Sequence, residues 1–183
     1  MLDRTTIATA LGRLAELLRA NGLQGEVCLL GGAVMVLAFD ARPSTKDVDA
    51  IFEPSSDIRR LSAVVAGELG LPADWLNDAA KGYASAHHDV SPSDLPQFDG
   101  LRVVAPTPQY LLAMKCIASR VAVGGAGPDD VGDIRFLLAH LGIRTVVEAL
   151  EVVSRYYPAN IVPPRAQFLL EELLEAGDVE QSS

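Results

Sequence analysis

Leu11, Leu14, Leu17 and Leu18 recur at the spacing of one helix face, which predicts a helix from about Thr5 to Ala20, closed by Asn21-Gly22. The short apolar run "EVCLL" (26–30) then reads as a buried strand, and "GGAVMVLAF" as a helix that starts at once and is broken by "ARPST". In "DVDAIF" (47–52) the pattern switches to strict alternation. Asp47, Asp49 and Ile51 fall on one face of a strand, with Val48, Ala50 and Phe52 on the other. "EPSSDIRRLSAVVAGELGL" predicts a helix ending at Gly70, and the turn-forming residues of 71–100 predict an irregular stretch. "LRVVA" (101–105) is a third strand, followed by "PTPQYLLAMKCIASRVAV", a helix capped by Thr107 with Pro108 in its first turn. After "GGAGP" the pattern gives three helices, near 129–141, 143–156 and 163–176. The fold class is therefore α/β of the α+β kind: a small mixed sheet with flanking helices in residues 1–105, and a helical C-terminal region, 106–183, packed on it as one compact unit.

Composition changes this picture little. At 183 residues, 49% apolar and 21% charged, the chain can bury a core. Its longest uncharged N-terminal run, Val27 to Phe39, is too short and too glycine-marked for a membrane span. The charged start lacks the layout of a signal peptide, and the two cysteines, Cys28 and Cys116, read as small core residues of a reducing compartment. A cytoplasmic protein without a membrane partner is expected. The net charge of −9 excludes a general nucleic-acid coat. From Ile161 onward five acids face one base, Arg165, which leaves −5 for the body and room for a local basic cleft.

Asp47 and Asp49 are the first candidate chemistry. Two carboxylates on one strand face, with Cα atoms roughly 6.5–7 Å apart, repel unless a cation sits between them. Such a pair can hold Mg²⁺, which in turn bridges nucleotide phosphates. Gly31-Gly32, at a strand-to-helix junction, would let a phosphate approach the backbone. Arg42 and Lys46 flank the carboxylates and could offset their charge or touch phosphates, although solvated loop charge is the plainer account of both. Lys115 is the single charge between Val103 and Ser119, so it must either extend its head to water or meet an anion. In "GPDDVGDIRFLL", Asp129 or Asp130 followed by Asp133 makes a good helix start. His87 and His88 lack companions at metal spacing, and Trp75 reads as packing.

The stretch "LLGGAVMVLAFDARPSTKDVDAIF" resembles the opening motif of the DNA polymerase β-type nucleotidyltransferase superfamily, in which a Gly-Gly or Gly-Ser helix start precedes an Asp-x-Asp pair. It is similar more narrowly to the bacterial branch of AbiEii-type and MenT-type toxin nucleotidyltransferases, and to relatives carrying a segment like "LPADWLND" (71–78). The resemblance covers roughly residues 22–140, with "RYYP" (155–158) and "PPRAQFLLEELL" (163–174) extending it. It implies an enzyme that moves an NMP group from an NTP to an acceptor hydroxyl with Mg²⁺. Asp47 and Asp49 would hold the metal and Gly31, Gly32, Arg42, Thr45 and Lys46 the nucleotide. Lys115 would neutralise phosphate charge, Asp130 would serve the site as well as start a helix, and Arg120 would be a weaker phosphate contact. The implied acceptor is a tRNA 3′ end and the implied partner a cognate antitoxin. A small molecule such as an aminoglycoside, or a protein hydroxyl, is the alternative acceptor; a catalytically silent binding or regulatory protein is the alternative class. Two departures stand out: Gly-Gly-Ala replaces a Gly-Ser start, and no third carboxylate stands on "LRVVA".

Overall fold

The computed structural model describes residues 1–85, 89–92, 95–118 and 128–180. His87, His88 and Arg120 lie outside them. The described chain is mixed α/β, and it divides into two compact units, Met1–Gly82 with Val90–Pro106, and Tyr83–Asp89 with Thr107–Ser183.

The first unit opens with a two-residue strand, β1 (Leu2–Asp3), and helix α1 (Arg4–Ala20). Asp3 caps α1 by accepting from the Thr6 N–H at 2.8 Å, so the helix starts at Arg4, one residue before its first threonine. Its apolar stripe is buried as Ile7, Ala10, Leu11, Leu14, Ala15 and Leu18. Strand β2 (Gly25–Leu29) leads directly into α2 (Gly31–Leu37), then β3 (Ser44–Thr45), β4 (Val48–Glu53) and α3 (Ser55–Leu69). Helix α3 ends where the sequence pattern ends it, at Gly70 in the left-handed region, φ 64°.

Segment 71–100, expected to be irregular, contributes two edge strands, β5 (Leu76–Asn77) and β6 (Val90–Ser91), before β7 (Leu101–Pro106). Two residues are too few to show an alternation, which is why the pattern missed them. The five-stranded sheet runs β5-β4-β2-β7-β6. Strand β2 is antiparallel to β4 (Leu29↔Ala50) and parallel to β7 (Val27↔Val103). At one edge β4 and β5 are parallel (Asp49↔Asn77), and at the other β6 and β7 are antiparallel. A separate ladder pairs β1 with β3, Leu2 against Thr45. Trp75 is fully buried and donates from Nε1 to the Ser62 carbonyl of α3 at 3.0 Å, fixing the approach to β5.

The second unit contains α4 (Pro108–Ala118), α5 (Pro128–His140), α6 (Val146–Tyr156) and α7 (Pro164–Glu180). Helix α4 is buried from Tyr110 to Ile117 and packs against α5 and α6. Residues 83–89, which the sequence pattern grouped with the sheet, belong to this unit. Ser85 explains why: its N–H donates to the Tyr110 hydroxyl at 2.7 Å and its Oγ to the Tyr156 carbonyl at 2.6 Å. Asp89 accepts from the hydroxyls of Tyr156 and Thr107 at 2.9 and 3.0 Å. Among the described residues no helix is long and apolar enough to cross a membrane.

Candidate functional site

The alternation read along 47–52 is present in β4. Val48 and Ala50 are wholly buried and Phe52 nearly so, while Asp47, Asp49 and Ile51 are half-buried on the opposite face. Burial of one face forces the register, and the register forces both carboxylates to the other side. The backbone carbonyl of Asp49 accepts from the Leu30 N–H at 2.8 Å, which ties the start of α2 to the carboxylate strand.

Gly31 has φ 55°, a conformation that L side chains rarely adopt, and a Cβ there would lie 3.2 Å from Oδ2 of Asp49. At Gly32 the demand is stronger. A Cβ would lie 2.5 Å from Thr45 Oγ1 and 3.4 Å from Arg42 Nη1. Thr45 is buried with its backbone paired to Leu2, and its own Cβ would lie 3.2 Å from the added carbon, so turning the hydroxyl aside does not clear the space. A serine at position 32, which the resemblance leads one to expect, has no room, because the Thr45 hydroxyl already takes that space. The fold thus brings Gly31, Gly32, Arg42, Thr45 and Asp49 together. Lys46 is exposed on the turn before β4.

Asp47 has a partner that sequence reading missed. Asn77 of β5 donates from Nδ2 to Asp47 Oδ2 at 3.4 Å, and accepts from the Ala79 N–H at 3.0 Å through Oδ1. "LPADWLND" stood out in the sequence without a role for its asparagine.

The carboxylate pair fits one kind of metal and not another. Among the described residues no group of three or more His, Cys, Asp or Glu is arranged to hold an ion. An all-protein cage is therefore not what these residues form. Mg²⁺, however, keeps several waters and is held by one or two carboxylates with substrate phosphates, and the two half-buried carboxylates on one face of β4 are a donor set of that kind. Thiolate chemistry does not compete. Burial, with Glu26 nearby, pushes the Cys28 thiol up to about 11, and burial alone pushes Cys116 up to about 12.

In the second unit, Lys115 meets anions. Its side chain is 9% exposed, and Nζ ion-pairs with Asp130 Oδ1 at 3.1 Å and, more closely, with Asp133, which is 2% exposed. Asp130 lies inside the first turn of α5 and turns its carboxylate to the lysine. Asp133 was legible only as part of a helix start. The signal that could have found it is its i,i+3 spacing from Asp130, which puts both acids on one face of α5.

Comparison of the chain with protein-family models, curated proteins and solved structures finds no match.

Proposed function

We propose that the protein is a Mg²⁺-dependent nucleotidyltransferase that transfers an NMP group from an NTP to an acceptor hydroxyl, with a tRNA 3′ end as the acceptor and a cognate antitoxin as partner. The observation that carries the reading is the close approach of Asp49, Thr45 and Arg42 to the backbone of Gly31 and Gly32, beside the carboxylate face of β4. The likeness of "LLGGAVMVLAFDARPSTKDVDAIF" to the superfamily's opening motif supports it. In this reading Asp47 and Asp49 hold the cation. When bound, the cation supplies charge neutralisation and orientation of the phosphates. Gly31 and Gly32 would let a phosphate approach the backbone, and Arg42, Lys46 and the Thr45 hydroxyl would offer it further donors. Positioning and preorganised charge are the main requirements of such a transfer, and the proposal draws them from first-unit residues alone.

A second reading, a catalytically silent binding or regulatory protein, is favoured by the ion pairs of Lys115, whose charge is met within its own unit. Incubation with each labelled NTP, Mg²⁺ and total tRNA separates the two. The expected result is label on tRNA from one NTP, lost in Asp47→Ala and in Asp49→Ala, with thermal midpoints equal to wild type or slightly higher once the like charges are relieved. Label on a protein band or an added aminoglycoside would redirect the acceptor. No transfer from any NTP to tRNA, protein or small molecule would leave the silent reading.

A further inference from the structure

We infer that Asn77 is a positioning residue that aims the Asp47 carboxylate at the cation, an inference that rests on the proposed reading and deepens it. Strand β5 is parallel to β4 with Asn77 opposite Asp49, so the Asn77 side chain stands on the same sheet face as Asp47 and Asp49. Its amide is not free to rotate. The Ala79 N–H can be satisfied only by the oxygen, at 3.0 Å, which turns Nδ2 toward Asp47 Oδ2, at 3.4 Å. The strand that carries it is anchored on both sides: Trp75 is buried and bonded to α3, and Asp78 pairs with Arg59 of α3 at 2.8 Å. Core packing thus delivers one N–H donor to one oxygen of one carboxylate. Partners of this kind set the orientation of metal-binding carboxylates, and losing one typically weakens metal binding about 10–100-fold.

Asn77 has a simpler use, since an Asx turn to Ala79 would by itself account for an asparagine at the start of the 3-10 turn Ala79–Tyr83. Two substitutions keep that turn and change the donor. In Asn77→Ser the hydroxyl can still accept from Ala79 but is too short to reach Asp47. In Asn77→Asp the carboxylate accepts from Ala79 and places a third negative charge beside the pair. Binding of Mn²⁺ to the full chain, alone and with each of four non-hydrolysable NTP analogues, is measured by calorimetry beside the thermal midpoint. The expected result is a thermal midpoint near wild type for both, Mn²⁺ affinity about 10-fold weaker for Asn77→Ser, and tighter by at least about 5-fold for Asn77→Asp. If Asn77→Ser binds Mn²⁺ within twofold of wild type, Asn77 is a turn former and the inference fails, whatever the added charge of Asn77→Asp does. Asp47→Ala separates this from failure of the site itself. If Asp47→Ala abolishes binding while the Asn77 variants leave it intact, only the role of Asn77 is wrong; if Asp47→Ala binds as wild type, the carboxylate site is wrong too.

Discussion

A lysine set among Leu111, Leu112, Met114 and Ile117 must have its charge answered, and in this protein Asp133 and Asp130 answer it. That arrangement reverses the stability expected for replacing an otherwise unpaired lysine, whose exchange for methionine would be neutral or favourable. Lys115→Met leaves the Asp133 carboxylate buried without its cation, and stranding one member of a buried pair costs about 3–5 kcal/mol. The double variant Lys115→Met with Asp133→Leu removes both charges and is expected to recover most of that loss. Urea unfolding of the single and double variants checks it; a single variant as stable as wild type would mean the pair is not desolvated in solution. Any fall in transfer caused by Lys115→Met therefore has to be compared with the double variant before phosphate contact is credited.

Helix α6 shows how much of a helix start is written locally. Thr145 accepts from the Glu148 N–H at 3.3 Å, and Glu148 in turn accepts from the N–H groups of Arg144 and Thr145 at 3.0 and 3.1 Å, a complete capping box. Those backbone donors, Arg144 first and then Thr145, hold the Glu148 carboxyl below its ordinary value of 4.5. A carboxyl depressed in the folded state contributes stability that is present above its unfolded value and is lost as pH falls through the folded one. The Glu148→Gln variant keeps an acceptor at the same place but not the charge. The thermal midpoint of wild type is expected to exceed that of Glu148→Gln at pH 7, with the gap closing as pH falls below the ordinary value of 4.5 and Glu148 protonates. A gap that persists unchanged at pH 3 would assign the box to hydrogen bonding without charge. The helices named by periodicity and caps match the structure to within a few residues, except that the end expected for α4, at 119–123, lies outside the described residues; β5 and β6 do not announce themselves, because a two-residue strand is stabilised by its neighbour and not by its own pattern.

At −9 net charge, with five acids against one base from Ile161 on, the protein repels a polyanion unless a local site overcomes the field. A tRNA acceptor would then be held by few phosphate contacts. Binding of end-labelled tRNA, followed by fluorescence anisotropy between 50 and 200 mM salt, is expected to weaken less than about 10-fold, against the 10³–10⁵ typical of proteins that neutralise six to ten phosphates. A steep salt dependence would require a basic surface that the composition does not suggest.

Periodicity, caps and glycine placement are short-range properties, set by neighbours three or four positions away, and they carried α1, α3, the alternation of β4 and the carboxylate pair from the chain alone. The polar contacts inside each unit span longer distances. Asn77 reaches Asp47 across 30 positions, Thr45 occupies the space that makes Gly32 obligatory, and Lys115 finds Asp133 on another helix. None of these has a signature in a sliding window, because each depends on which buried faces pack together. That packing is settled by the burial of apolar surface over a whole unit, and polar side chains such as Asn77 and Asp133 are carried to their partners by it.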